Sequence, residues 1–228
     1  MMRRLLDIFF SVLALVFLFP LFAVTIFALR LTGEGEVFFT QERIGKYGRT
    51  FRLLKFATML KDSPNMGTGT VTMKGDPRIL PFGKLLRDTK INELPQLINI
   101  LLGDMSLIGP RPLTAQAYDG YLPEVKALIQ QVRPGLSGIG SIVFHNEEEI
   151  LADNNGNMEF YRNVLLPYKG KLESWYVGNQ GLGTYVKAIF LTVWVVFFHE
   201  ARPAWRLFKG LPIPPENLRS LLSFDSSL

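Results

Sequence analysis

The sequence predicts a mainly helical α+β protein: an N-terminal re-entrant membrane helix, then a cytosolic domain with one short β-hairpin and interfacial amphipathic helices. Three observations predict this. Residues 8–29 form an apolar run without a charge, broken by Pro20 and flanked by basic residues on both sides. Residues 37–44 and 51–56 read as strands around the turn Gly45-Lys46-Tyr47-Gly48. Much of the chain beyond this hairpin carries apolar residues at helical spacing.

Each element has its own argument. The length of the apolar run alone suits a transmembrane helix. A cleaved signal peptide fits less well, since the run is too long and no small-x-small site comes after it. Pro20 removes a backbone donor and clashes one turn back, so the helix should bend there. Arg3 and Arg4 precede the run, and Arg30, Arg43, Lys46, Arg49 and Arg52 come after it, which marks both ends as cytoplasmic. Each half, about 12 residues or roughly 18 Å of helix, cannot cross a hydrocarbon core of about 30 Å. A re-entrant hairpin with Pro20 deepest satisfies all of this; a kinked single span is the alternative. Most basic residues of the β-hairpin read as a solvated, lipid-facing surface, with Lys55 the exception. Residues 62–77, rich in Gly, Ser, Thr and Pro, read as a mobile loop that could close over a substrate.

Residues 92–112 hold the densest cluster of candidate chemistry. Leu94, Leu97, Ile98, Leu101 and Leu102 match the spacing of one buried helical face, and Gly103 stands where that helix stops. Asn92 and Glu93 then lie at the helix entrance, with Pro95 in its first turn, where free backbone donors attract an anion such as phosphate. Asn92 is also a competent helix cap. Arg87 precedes this entrance, and Arg111 sits in the rigid turn Gly109-Pro110-Arg111-Pro112. Either guanidinium could grip phosphate bidentately, or pair with Asp88 or Asp104. Asp88 would share a helical face with Asn92 if residues 88–92 were helical.

Downstream, residues 123–132 form a short amphipathic helix ended by Arg133-Pro134-Gly135, and Glu147-Glu148-Glu149 reads as a solvated helix start. Residues 182–198 are apolar and aromatic but too short to span; they suit a helix lying in the interface or one buried in a core. The chain divides into a membrane helix (1–30), a membrane-associated domain (31–210) and a proline-rich tail (211–228) that should contribute little.

Composition narrows the partners. With 25 Lys and Arg against 20 Asp and Glu, the chain of 228 residues suits acidic partners, including an anionic lipid bilayer. No basic helix, zinc spacing or aromatic RNA-binding motif supports nucleic acid. The absence of cysteine excludes disulfides and thiolate metal sites, and His145 and His199 lie far from the acidic pair in sequence.

The block NELPQLINILLGDMSLIGPRP at 92–112 resembles the signature of the bacterial monotopic phosphoglycosyl transferases. The likeness extends to RRLLDI at 3–8, FFTQERIGKYGRTF at 38–51, KGDPRI at 74–79, VRPGLSGIGS at 132–141 and WYVGN at 175–179. The resemblance implies transfer of a sugar-1-phosphate from a UDP-sugar to polyprenyl phosphate with release of UMP, the step that initiates a surface glycan. It places the protein at the cytoplasmic face of the bacterial inner membrane, with a homodimer as one assembly state. It also implies a catalytic domain in which Glu93 holds Mg2+, Arg87 and Arg111 hold phosphate, and Lys55 serves as a further anion contact, although Lys55-Phe56-Ala57 stands where the family has Lys-Phe-Arg. A larger departure is Asn92 itself, which occupies the place of the family's nucleophilic aspartate. An amide is a poor nucleophile. Two readings are open: a transferase in which Asn92 orients phosphate for direct attack, or a catalytically silent relative that binds nucleotide sugar or lipid phosphate as a scaffold.

Overall fold

The computed structural model describes residues 2–66, 72, 75–154 and 157–224; the loop positions 67–71, 73 and 74 lie outside the described residues, and with them the middle of the expected lid. The chain opens with α1 (Met2–Leu31), a helix that is continuous through Pro20. It is long and apolar enough to cross a membrane. Its polarity is inverted relative to a water-facing helix. Asp7, Ser11 and Thr25 are buried against the protein, while Phe9, Val16, Phe17, Phe19, Val24 and Phe27 face outward. The domain touches α1 along its length: Leu6 reaches the main core, Ala14 and Leu15 pack with Leu97 and Ile100, and Phe22, Ile26 and Leu29 pack with Val37, Phe56 and Leu86.

The expected hairpin forms. Strands β1 (Phe38–Ile44) and β2 (Thr50–Phe56) pair antiparallel from Phe38↔Phe56 to Ile44↔Thr50. The turn between them holds Tyr47 at φ 60° and Gly48 at φ 72°. Helix α2 (Pro81–Asp88) comes next, started by its proline. Lys90 then turns left-handed at φ 58°, which breaks the chain before a 3-10 turn, Ile91–Glu93, and helix α3 (Gln96–Leu102). That break puts Asp88, exposed at the end of α2, outside any helix shared with Asn92. Gly103 ends α3 at φ 97°, as its position predicts.

The buried face of α3 differs from the expected one. Gln96, Leu97, Asn99 and Ile100 are buried, whereas Ile98 faces outward and Leu102 is 73% exposed. The cause is a polar tether: Asn99 accepts from the Leu54 N–H at 2.9 Å and donates to the Arg52 carbonyl at 2.8 Å. These bonds satisfy β2 backbone groups and rotate Asn99 inward. The apolar residues thus displaced look out from the domain, as those of α1 do.

Strand β3 (Ser106–Ile108) pairs parallel with β4 (Gly135–Ser137), so helices α4 (Ala115–Asp119) and α5 (Pro123–Ile129) form the crossover between them. A Cβ on Gly135 would lie 2.1 Å from the Gly109 nitrogen, so only glycine permits this approach. Then come α6 (Ile139–Val143), α7 (Glu147–Asp153) and α8 (Met158–Phe160), and a π turn that runs into α9 (Leu166–Gly178). Helix α10 (Leu182–Phe198) buries Tyr185, Ala188, Leu191 and Val195 and exposes Val186, Phe190, Val193 and Phe197. One face therefore belongs to the core and the other stays exposed. After α11 (Pro203–Leu207) and α12 (Glu216–Arg219), the tail corrects another expectation. Leu211, Leu218 and Leu222 join the main core with Ile139, Leu172 and Tyr176, and the Tyr168 hydroxyl donates to the Pro212 carbonyl at 2.7 Å.

Candidate active site

The register of the hairpin sets the site. Cross-strand partners share a face, so Gln41 and Leu53, and Phe39 and Lys55, project with Arg43 to the same side. Opposite them stand Glu93 from the 3-10 turn, Gln96 from the first turn of α3, and Arg111 from the turn after β3. Arg43, Leu53, Lys55, Glu93, Gln96, Arg111, Pro112 and Leu136 line one small cavity.

Three cations thus surround one carboxylate. Lys55 Nζ lies 2.8 Å from Glu93 Oε1, with about a fifth of each side chain exposed (20% and 22%). Burial alone would raise the Glu93 carboxyl, but Lys55 and Arg111 outweigh it and hold the group at about 2. Burial together with neighbouring Arg111 brings Arg43 down to about 10. Lys55 is lowered too, by burial first, with Glu93 opposing. Arg111 is raised: burial works against its charge, yet Glu93, Glu147 and Glu173 around it prevail. Among the cavity-lining residues three cations stand with one carboxylate, and this local excess of positive charge is what an incoming polyanion would relieve.

Arg111 also joins a second layer. Its N–H donates to Glu173 Oε1 at 3.3 Å. Glu173 is 2% exposed, its Oε2 has no hydrogen-bond partner among the described residues, and burial pushes its carboxyl up to about 7. Beside it Lys169 donates to both oxygens of Glu147 at 2.8 Å. Glu147 is therefore not the solvated helix start that its charge run suggests, because a buried lysine on α9 needs a counter-ion.

Of the sequence-predicted site residues, the structure brings together Lys55, Glu93 and Arg111. Arg87 is turned elsewhere and pairs with Glu148 at 2.8 Å. Asn92 is only 5% exposed and is not among the residues lining the cavity; its Oδ1 has no partner among the described residues, and it caps no helix, the N-cap of α3 being Pro95. Asp104 meets the Asn99 amide at 3.3 Å rather than an arginine. Pro20 stays within α1. Arg43, Gln96 and Glu173 were not expected. For Arg43 the signal was present, since the two-residue period of β1 puts it on the face of Gln41. Its guanidinium donates to the Pro112 carbonyl at 3.1 Å and so braces the Arg111 turn.

Among the described residues no group of three or more His, Cys, Asp or Glu could cage a metal. Glu93 is a single hard carboxylate, which fits Mg2+ in the mode where a bound diphosphate and waters supply most of the ligands.

Comparison with known proteins gives the family. The chain belongs to the bacterial sugar transferase family, whose model matches residues 1–199. It is 39% identical over 143 residues to the UDP-N-acetylgalactosamine-undecaprenyl-phosphate N-acetylgalactosaminephosphotransferase of Aeromonas hydrophila, covering 62% of this chain and 34% of that protein. It is 39% identical over 146 residues to the UDP-glucose:undecaprenyl-phosphate glucose-1-phosphate transferase of Caulobacter vibrioides, covering 61% of this chain and 53% of that one. The chain thus spans about a third to a half of those two relatives. The uncharacterized sugar transferase EpsL of Bacillus subtilis matches nearly end to end, 34% identical over 203 residues, with 87% of this chain and 89% of EpsL covered.

Proposed function

We propose that this protein transfers a sugar-1-phosphate from a UDP-sugar to polyprenyl phosphate and releases UMP, at the cytoplasmic face of the bacterial inner membrane, to begin a surface glycan. The observation that carries the proposal is the gathering of Arg43, Lys55 and Arg111 about Glu93 in one cavity. The names of the relatives support the reaction class, sugar-phosphate transfer onto undecaprenyl phosphate. In support of the re-entrant arrangement, both ends of α1 are tied to the same domain, through Arg4 and Asp7 at one end and Leu29 at the other. A simple span would carry one end of a helix of about 45 Å away from it.

In the proposed step an oxygen of the polyprenyl phosphate attacks the sugar-bearing phosphorus. A phosphorus–oxygen bond forms there, the bond to the bridging oxygen breaks, and its electron pair leaves on UMP. Arg111 and Arg43 orient and neutralise phosphate oxygens, the former as a planar fork. Lys55 holds Glu93 ionised, and Glu93 is the residue that would hold Mg2+, which when bound offsets charge on the diphosphate. Positioning and charge neutralisation supply most of the catalysis of phosphoryl transfer, so the step does not require a protein nucleophile.

The second reading, a silent scaffold, rests on Asn92, whose amide cannot carry a phosphosugar as a carboxylate would. Purified full-length protein, mixed with polyprenyl phosphate and candidate UDP-sugars, separates the two. Release of UMP, with intersecting initial-rate lines and no burst from UDP-sugar alone, is the expected result. No release with any sugar favours the scaffold; parallel lines with an adduct trapped on a carboxylate defeat direct attack.

A further inference from the structure

A carboxylate beside a membrane-length apolar run would ordinarily stand in water. Asp7 is instead 3% exposed. It accepts from the Ser106 hydroxyl at 2.8 and 3.0 Å, from the Leu107 N–H at 2.9 Å and from the Tyr185 hydroxyl at 2.6 Å. The Leu107 contact is informative. In the parallel pairing β3 uses Ser106 and Ile108 toward β4, so Leu107 points its N–H to the open edge. Asp7 supplies the acceptor that a neighbouring strand would otherwise provide. All three partners are donors, and the two acceptor oxygens of a carboxylate can serve them without conflict.

Arg4, one turn earlier, holds the other arm of the cavity. It donates to the carbonyls of Leu101, at 2.9 Å, and of Ile100, which close the helix just beyond Glu93. Ser106 and Leu107 open the strand that delivers Arg111. The first two turns of the membrane helix therefore seat both walls of the cavity.

We propose that Asp7 is a positioning residue for Arg111, coupling the seating of the membrane helix to the anion cavity. The inference rests on the reading of that cavity as an anion site. The strand edge is fixed by Asp7, the Gly109-Pro110 corner is rigid, and the register of the edge sets where the guanidinium points.

The test uses the full chain in lipid nanodiscs, with inorganic pyrophosphate as the probe and its Kd measured by calorimetry. Asp7→Ala should weaken binding about tenfold in the parent background but less than about threefold when Arg111→Lys is already present, since coupled residues are non-additive. Asp7→Asn keeps an acceptor for Leu107 and should stay within about threefold of the parent. Kd reports the folded molecules, so a lower yield does not imitate the effect. Should Asp7→Ala fail to fold, Ser106→Ala removes only the hydroxyl contacts, and about a threefold loss confined to the Arg111 background is expected. An unchanged Kd, or the same loss in both backgrounds, makes these contacts merely structural and overturns the proposal. A parent that binds no pyrophosphate overturns the anion-site reading and this inference with it.

Discussion

Glu173 offers a quantitative handle on the layer behind Arg111. Its ordinary value of 4.5 rises to about 7, chiefly through burial, with Arg111 and Lys169 opposing. Tyr121 and Tyr176 are further titratable groups that feel its charge. Between these pH values the unfolded chain has lost the Glu173 proton while the folded chain keeps it. Folding then takes up a proton, so stability is fully present below pH 4.5, falls as pH rises toward 7, and levels off above it. At about 1.36 kcal/mol per pH unit the total is about 3 kcal/mol. Glu173→Gln removes the titration and keeps a carbonyl oxygen for the Arg111 N–H. The variant should match the parent near pH 5 and exceed it at pH 8 by up to about 3 kcal/mol. Urea denaturation in detergent micelles, followed by tryptophan fluorescence, reads this; other groups cancel in the difference between variant and parent. A gap of the same size at both pH values would refute the reasoning.

Glu93→Gln keeps shape but removes the anionic oxygen, and turnover should fall at least about a hundredfold, the scale of about 2.7 kcal/mol for one preorganised contact. Because Glu93 is held near 2, its ionisation should leave no limb in the pH–rate profile between about pH 5 and 8. Arg43→Gln should raise the KM for the donor about tenfold, in line with one lost charge-assisted contact of about 1.4 kcal/mol, and an unchanged KM would remove Arg43 from the site. Single cysteines at positions 2 and 34 should react with an impermeant reagent only after the membrane is opened. Pro20→Leu should increase the spanning fraction, seen as opposite accessibility of the two ends.

The features legible in the sequence were those that local chemistry decides. The β-hairpin, the stop of α3 at Gly103 and the start of α10 at Leu182 each depend on residues within a few positions. Lys55, Glu93 and Arg111 were marked by their place in family motifs, and the structure gathers them. Arg87 paired with Glu148, 61 positions away, a partner that no local pattern could indicate. The buried face of α3 was misread because hydrophobic spacing assumes that apolar residues seek the interior; here Asn99 answers strand donors and the apolar residues face outward. The tail was misread for a related reason, since scattered leucines such as Leu211 before Pro212 and Leu218 beyond Pro215 give no period, yet each fills the core.

Charge accounting explains why an asparagine is tolerated at position 92. The cations stand around Glu93, one residue further on, and the cavity that they line does not include Asn92. No hydrogen bond among the described residues reaches the Asn92 Oδ1, and its side chain is buried. Leaving a neutral amide oxygen unpaired there costs about 1–3 kcal/mol, whereas an unpaired carboxylate in the same place would cost more. The amide thus suits position 92 as this chain folds. Glu93 then stays the one carboxylate that lines the cavity with Arg43, Lys55 and Arg111.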